Sequence, residues 1–228
     1  MILIRIFLAI FIFISAAHLL FIVLQKENPR RISKALIVPL LIALYISATE
    51  NPLVSPILAL VFGWIGDILL INKRRRLNFK LGLASFLLGH ICYIFTFINY
   101  LKSAASDAND AVFKFNTTAA LIFIPLAIVL GILMLKFIKP NKEMLLPVII
   151  YLIGIQTMCF WAFELFVCIP KLGGALIFSG SLCFIISDTI LGYYTFRKLK
   201  RVGAVLIMFF YILAQAGIIL GLTPAIIA

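Results

Sequence analysis

Asp67, His90 and Asp188 are ionisable side chains inside otherwise apolar stretches of this chain, FGWIGDILL, FLLGHICYIF and FIISDTILGYY. An ionisable group at the centre of a membrane-spanning helix costs about 2.5–3.5 kcal/mol on insertion scales, so it faces a bundle interior and by default marks a functional site. Two carboxyl groups in apolar surroundings suit proton chemistry, because burial favours the protonated acid and keeps a proton donor available at neutral pH. An ionised partner can then stabilise a cation or orient water. What Asp67, His90 and Asp188 do together depends on the helices that carry them.

Those helices span a membrane. The 228 residues are 64% hydrophobic and 12% charged, more apolar surface than a soluble domain of this length can hide. The mean hydropathy is +1.21. A span takes about 20 apolar residues, and the charges here fall in short clusters separated by runs of that length. The expected fold is all-α, a single integral membrane domain over 1–228 with eight transmembrane helices near 2–24, 34–49, 53–71, 80–101, 117–138, 143–168, 173–196 and 203–224. The second span is read as short, ending before Glu50-Asn51-Pro52, where the proline favours a tight turn. The run from Ile2 to Leu24 has too long an apolar stretch and too thin a basic start for a signal peptide. It is read as a retained first span.

The net charge of +12 does not point to nucleic acid, because Lys and Arg lie in short loops between apolar runs. That placement serves topology and anionic lipid headgroups. Odd-numbered loops hold between three and five Lys or Arg each, the even-numbered ones none, two and one. The positive-inside rule therefore puts the odd loops in the cytoplasm and both termini on the opposite face. Asp67, His90 and Asp188 are then expected at one depth, in the cytoplasmic halves of the third, fourth and seventh spans. Glu164 falls at the other end of the sixth. The loop from Lys102 to Asn116 is the longest and carries Asp107 and Asp110. Cys92, Cys159, Cys168 and Cys183 lie in or beside apolar segments with no CxxC pair, and are read as small hydrophobes.

Polar groups also fall on helical stripes. Phe86, His90, Tyr93 and Phe97 share one face, as do Tyr151, Ile155, Met158 and Ala162. Gly180, Phe184 and Ser187 line a third face with Asp188 at its edge, and Tyr211 and Gln215 are one turn apart. One such stripe means helix packing; four of them with two aspartates point to a polar chamber. The third and seventh spans also echo each other. An offset of 121 residues carries Asp67 onto Asp188, Gly82 onto Gly203 and His90 onto Tyr211. A parallel 4+4 repeat would set both aspartates near a pseudo-two-fold axis along the membrane normal; chance likeness between apolar helices is the other explanation.

The pattern Gly66-Asp67-x-x-Leu70, then Gly82-Leu83-x-x-Phe86-x-x-x-His90-x-x-Tyr93, resembles the YhhN/lysoplasmalogenase family of eight-span membrane proteins. Tyr151-x3-Ile155-x2-Met158-x3-Ala162, Phe184-x-x-Ser187-Asp188-x-x-Leu191 and Tyr211-x-x-Ala214-Gln215 resemble it too, in the same order. The chain departs from the family pattern at Lys34-Ala35, where Lys-Pro is usual, and at Gly63, where a small hydroxyl is frequent; no role is assigned to Lys34. The resemblance implies a hydrolase that cleaves the vinyl ether bond of a lysophospholipid (lysoplasmalogen), releasing a fatty aldehyde and glycerophosphoethanolamine or glycerophosphocholine. It implies an integral protein of the bacterial inner (cytoplasmic) membrane, in contact with membrane lipids, with no nucleic acid and no cofactor.

Proton transfer to the β-carbon of a vinyl ether gives an oxocarbenium ion, as between the paired carboxylates of glycosidases. One of Asp67 and Asp188 is then the general acid and the other the electrostatic stabiliser or water-activating base. His90 is a candidate for holding water or the phosphate. Tyr93, Ser187 and Gln215 are candidates for orienting the carboxylates, with Tyr151 and Tyr211 in support. No metal is expected, since there is no HxxxH or HExxH spacing. The chief alternative is a proton-coupled transporter of small molecules or lipids, which uses intramembrane acids as relays. An intramembrane aspartyl protease ranks lower, because Gly63-Trp64-Ile65-Gly66-Asp67 lacks Gly-x-Gly-Asp. A bundle whose aspartates only bind helices together is the remaining reading.

Overall fold

Apolar runs long enough to cross a bilayer leave the backbone one economical way to satisfy its own N–H and C=O groups, the α-helix. The structure, a computed structural model, describes residues 2–71, 76–107, 116–168, 171–196 and 200–223. These form eight helices: α1 (Ile2–Val23), α2 (Glu27–Ala48), α3 (Val54–Ile71), α4 (Arg76–Asp107), α5 (Thr117–Ile138), α6 (Lys142–Cys168), α7 (Leu172–Thr195) and α8 (Arg201–Gly221). All eight are long and apolar enough to span a membrane, and the described residues contain no strand. Cys92, Cys159, Cys168 and Cys183 are free thiols.

Two helices differ from expectation. α2 is not short: it begins at Glu27 and runs for 22 residues. Pro29 falls in its first turn, where backbone N–H groups have no intrahelical partner to lose, and Glu27 pairs with Arg30 at 2.7 Å. Lys34 is therefore seven residues inside a helix and not at its edge. α4 extends to 32 residues at both ends of the expected span, because the flanking residues contain neither Gly nor Pro to stop it. At 1.5 Å per residue it is about 48 Å long, more than the roughly 30 Å hydrocarbon core. Asp110, Lys73 to Arg75, Arg197 and Lys198 lie outside the described residues, and so does the end of the eighth span beyond Thr223.

The helices pack chiefly as sequence neighbours, α1 with α2, α3 with α4 and α7 with α8, while α6 joins α4 to α7 and α8 meets α1 and α2. α5 is the most lipid-facing, touching α6 and α7 only along part of its length. The four polar stripes all point inward: Phe86, His90, Tyr93, Phe97, Tyr151, Ile155, Phe184, Ser187, Tyr211 and Gln215 are buried. Close approach uses small residues. A Cβ on Gly180 would stand 2.9 Å from the Ala214 carbonyl oxygen, so α7 and α8 meet backbone to backbone there.

Candidate active site

Asp67 lies four residues before the end of α3 and Asp188 seven before the end of α7, about 6 and 10 Å along their helices. Both stand on the wall of one cavity of about 710 Å³, within the range that holds a small-molecule ligand. Leu70, Phe86, Leu191, Ile207 and Met208 supply its apolar wall. Arg30, Arg31, Lys34, Lys200 and Arg201 supply cations from the starts of α2 and α8. A smaller apolar pocket of about 30 Å³ shares Leu70, Phe86, Asp188 and Leu191 with it and continues between α4, α6 and α7. Asp188 thus stands where polar space meets apolar space.

The two carboxylates have different surroundings. Asp67 is buried; Lys34 Nζ lies 3.2 Å from its Oδ1, and Tyr211 donates to its Oδ2 at 2.6 Å. Behind Tyr211 the chain of donors continues: Gln215 Nε2 donates to the Tyr211 hydroxyl at 3.3 Å, and Tyr93 donates to Gln215 Oε1 at 2.7 Å. Gly63 makes room for this approach, because a Cβ there would stand 3.0 Å from Gln215 Nε2. Asp188 has no lysine or arginine paired with it among the described residues. Its Oδ2 accepts a short hydrogen bond from Tyr151, whose hydroxyl lies 2.9 Å from His90 Nε2. Since Tyr151 spends its proton on Asp188, His90 donates to Tyr151. His90 Nε2 is itself 3.9 Å from Asp188 Oδ2. No described residue bonds to Asp188 Oδ1.

The eight residues singled out from sequence therefore come to one region, with two departures from the roles expected of them. His90 was expected to meet water or phosphate, but it is buried behind Tyr151, away from the cavity wall. Along α3 it stands a turn or more from Asp67, because the preceding Gly89 packs against the Ala59 carbonyl and Gly63, whereas its Nε2 comes within 3.9 Å of Asp188. Ser187 was expected to orient a carboxylate. It lines the cavity, yet its hydroxyl donates to the Ile207 carbonyl at 3.0 Å and so ties α7 to α8.

Lys34 was given no role from sequence and is the cation on Asp67. Its signal was the buried face of α2, where Ser33, Ile37, Val38 and Leu41 flank it at helical spacing. His18, another ionisable group in an apolar helix, also lines the cavity. Glu164 is buried near the opposite end of α6 and takes no part. Among the described residues no three His, Cys, Asp or Glu side chains cluster as metal ligands.

A family model described as the YhhN family matches residues 29–222, from the first turn of α2 to the end of α8. No curated protein and no solved structure shows a match.

Proposed function

The chain belongs to the YhhN family, and from that premise we propose that it is a membrane-embedded lysoplasmalogenase, hydrolysing the vinyl ether bond of lysophospholipids in a bacterial inner membrane. The observation that carries this reading is the unequal pair of carboxylates on one cavity wall, Asp67 with Lys34 on it and Asp188 with no lysine or arginine paired to it among the described residues. In this reading Asp67, with the Lys34 ammonium 3.2 Å from its Oδ1, is the carboxylate that stabilises the cation. The same reading makes Asp188, whose Oδ2 accepts from Tyr151 and whose Oδ1 bonds to no described residue, the proton donor.

In the proposed reaction Asp188 gives its proton to the β-carbon of the vinyl ether, and the double-bond electrons form the new C–H bond. The resulting oxocarbenium ion is stabilised by the Asp67 carboxylate. Water adds to the cationic carbon and loses a proton to the carboxylate left on Asp188. The hemiacetal then breaks its C–O bond to the glycerol as its hydroxyl proton passes to the departing glycerol oxygen, giving a fatty aldehyde and a glycerophosphodiester. In this reading a phosphate head lies among Arg30, Arg31, Lys200 and Arg201, and the alkenyl chain leaves past Asp188 and its apolar neighbours Leu70, Phe86 and Leu191. The scissile bond of such a lipid lies at the junction of head and chain, as Asp188 does in the cavity.

Purified protein supplied with defined lysoplasmalogens is expected to release aldehyde, and to leave saturated-ether and diacyl lipids intact. Ion-dependent solute uptake into vesicles, with no aldehyde formed, would replace this reading with the proton-coupled transporter.

A further inference from the structure

His18 is fully buried on α1, outside the residues matched by the family, and the chemistry above leaves it unused although it lines the same cavity. Its Nδ1 lies 2.8 Å from Ser33 Oγ. Ser33 directs its single hydroxyl proton at the carbonyls of Pro29, at 2.8 Å, and Arg30, at 3.1 Å. The Ser33 oxygen must therefore accept from His18 Nδ1–H, which leaves a lone pair on Nε2 of the neutral ring. That Nε2 is buried and no described residue hydrogen-bonds to it. A buried acceptor without a donor is unfavourable until one arrives, and the cavity is where one can arrive.

The chemistry of the wall narrows the donor. Phosphate oxygens are acceptors and offer nothing to a lone pair. A cationic ammonium is repelled by Arg30 and Lys34 on the same wall. A neutral hydroxyl remains. In a lysophospholipid one free hydroxyl sits on the middle glycerol carbon, between the ether oxygen and the phosphate. We propose that His18 accepts a hydrogen bond from this hydroxyl through Nε2 and is the residue by which the cavity selects one-chain over two-chain lipids. An esterified oxygen has no proton to give, and it would leave Nε2 unpaired. A site built to bond a hydroxyl rejects analogues that lack it on this ground.

The inference rests on the lysolipid reading of the cavity, so its test uses binding and not turnover. Full-length protein in detergent is titrated with a saturated alkyl-ether lysophospholipid, which cannot be cleaved, and with the same lipid lacking the middle hydroxyl. Wild type is expected to favour the hydroxyl lipid by about 5- to 10-fold, the effect of one neutral hydrogen bond. His18→Phe is expected to bind both lipids equally, at the wild-type affinity for the lipid without the hydroxyl, which also reports an intact fold. His18→Gln, which restores an acceptor, is expected to recover part of the preference. A wild-type preference that is absent, or that survives in His18→Phe, overturns the role of His18, and a water then fills the place given to the hydroxyl. If neither lipid binds wild type, the lysolipid reading of the cavity fails first and this inference fails with it.

Discussion

Lys34 gives the two carboxylates different surroundings. Asp67 has an ammonium at 3.2 Å and a tyrosine hydroxyl at 2.6 Å, two donors, whereas Asp188 has one donor and no described lysine or arginine. Asp188→Asn removes the proton donor of the proposed reaction and is expected to lower kcat for aldehyde release by about 10²- to 10⁴-fold, the usual worth of a general acid, with binding of the saturated lysolipid unchanged. Steady-state kinetics beside that titration checks it; turnover near wild type would remove Asp188 from the mechanism. Lys34→Met leaves the Asp67 charge unpaired inside the bundle and is expected to destabilise the protein by about 3 kcal/mol. Adding Asp67→Asn should restore most of that loss, since the double variant has no charge left to strand. Thermal unfolding of the four proteins in detergent measures the coupling, and additive losses would mean that the ion pair carries no net energy.

At the scale of elements, two short connections and one glycine set the geometry. Gln25, between α1 and α2, and Lys139, between α5 and α6, have φ of 58° and 49°, a left-handed conformation that a Cβ disfavours. Such turns let consecutive helices reverse within three residues and bring the end of α1, with His18, against the start of α2, with Ser33 and Lys34. Lys139→Gly is expected to stabilise the protein by about 1 kcal/mol while Lys139→Ala does not; paired melting curves decide it. On α3, Gly63 lies where a side chain would meet the Gln215 amide at 3.0 Å. Gly63→Val is expected to push Gln215 off Tyr211 and loosen Asp67. The expected signature is a fall in kcat at least tenfold larger than any weakening of lysolipid binding, read from the same two assays.

Over the whole molecule, two contacts fall at positions 121 residues apart. Tyr211 of α8 donates to Asp67 of α3, and the positions 121 apart, His90 of α4 and Asp188 of α7, approach to 3.9 Å. The correspondence is not complete, because a tyrosine reaches Asp67 directly while His90 acts on Asp188 through Tyr151 of α6. Lys34 of α2 adds to the asymmetry, since no described lysine or arginine is paired with Asp188. The ends of the odd-numbered helices and the starts of the even-numbered ones carry Lys26, Arg30, Arg31, Lys139, Lys142, Lys200 and Arg201. The positive-inside rule then expects the cavity on the cytoplasmic side. With the native cysteines replaced, Asn141→Cys should react with a membrane-impermeant thiol reagent only in inside-out vesicles, and Lys171→Cys only in right-side-out ones. The reverse pattern would turn the cavity to the other face.

Eight spans, their inward stripes and the convergence of Asp67, Asp188, Tyr151 and Tyr211 were legible along the chain. Lipid and protein interior are both apolar, but only the interior admits polar groups, so Asp, His, Tyr and Gln at helical spacing mark the inner face of each helix without knowledge of its neighbours. Which side chain meets which was not legible. The rotation and crossing of helices far apart in sequence set those pairings, and a shift of one residue on α2 would move Lys34 away from Asp67. Periodicity likewise put Ser187 on the inner face, yet only the packing of α7 on α8 turned its hydroxyl to the Ile207 carbonyl. The chain by itself determined that acids are buried among helices; the tertiary structure decided which acid stands beside a cation, because an ion pair is a matter of a few ångströms between segments that share no local sequence.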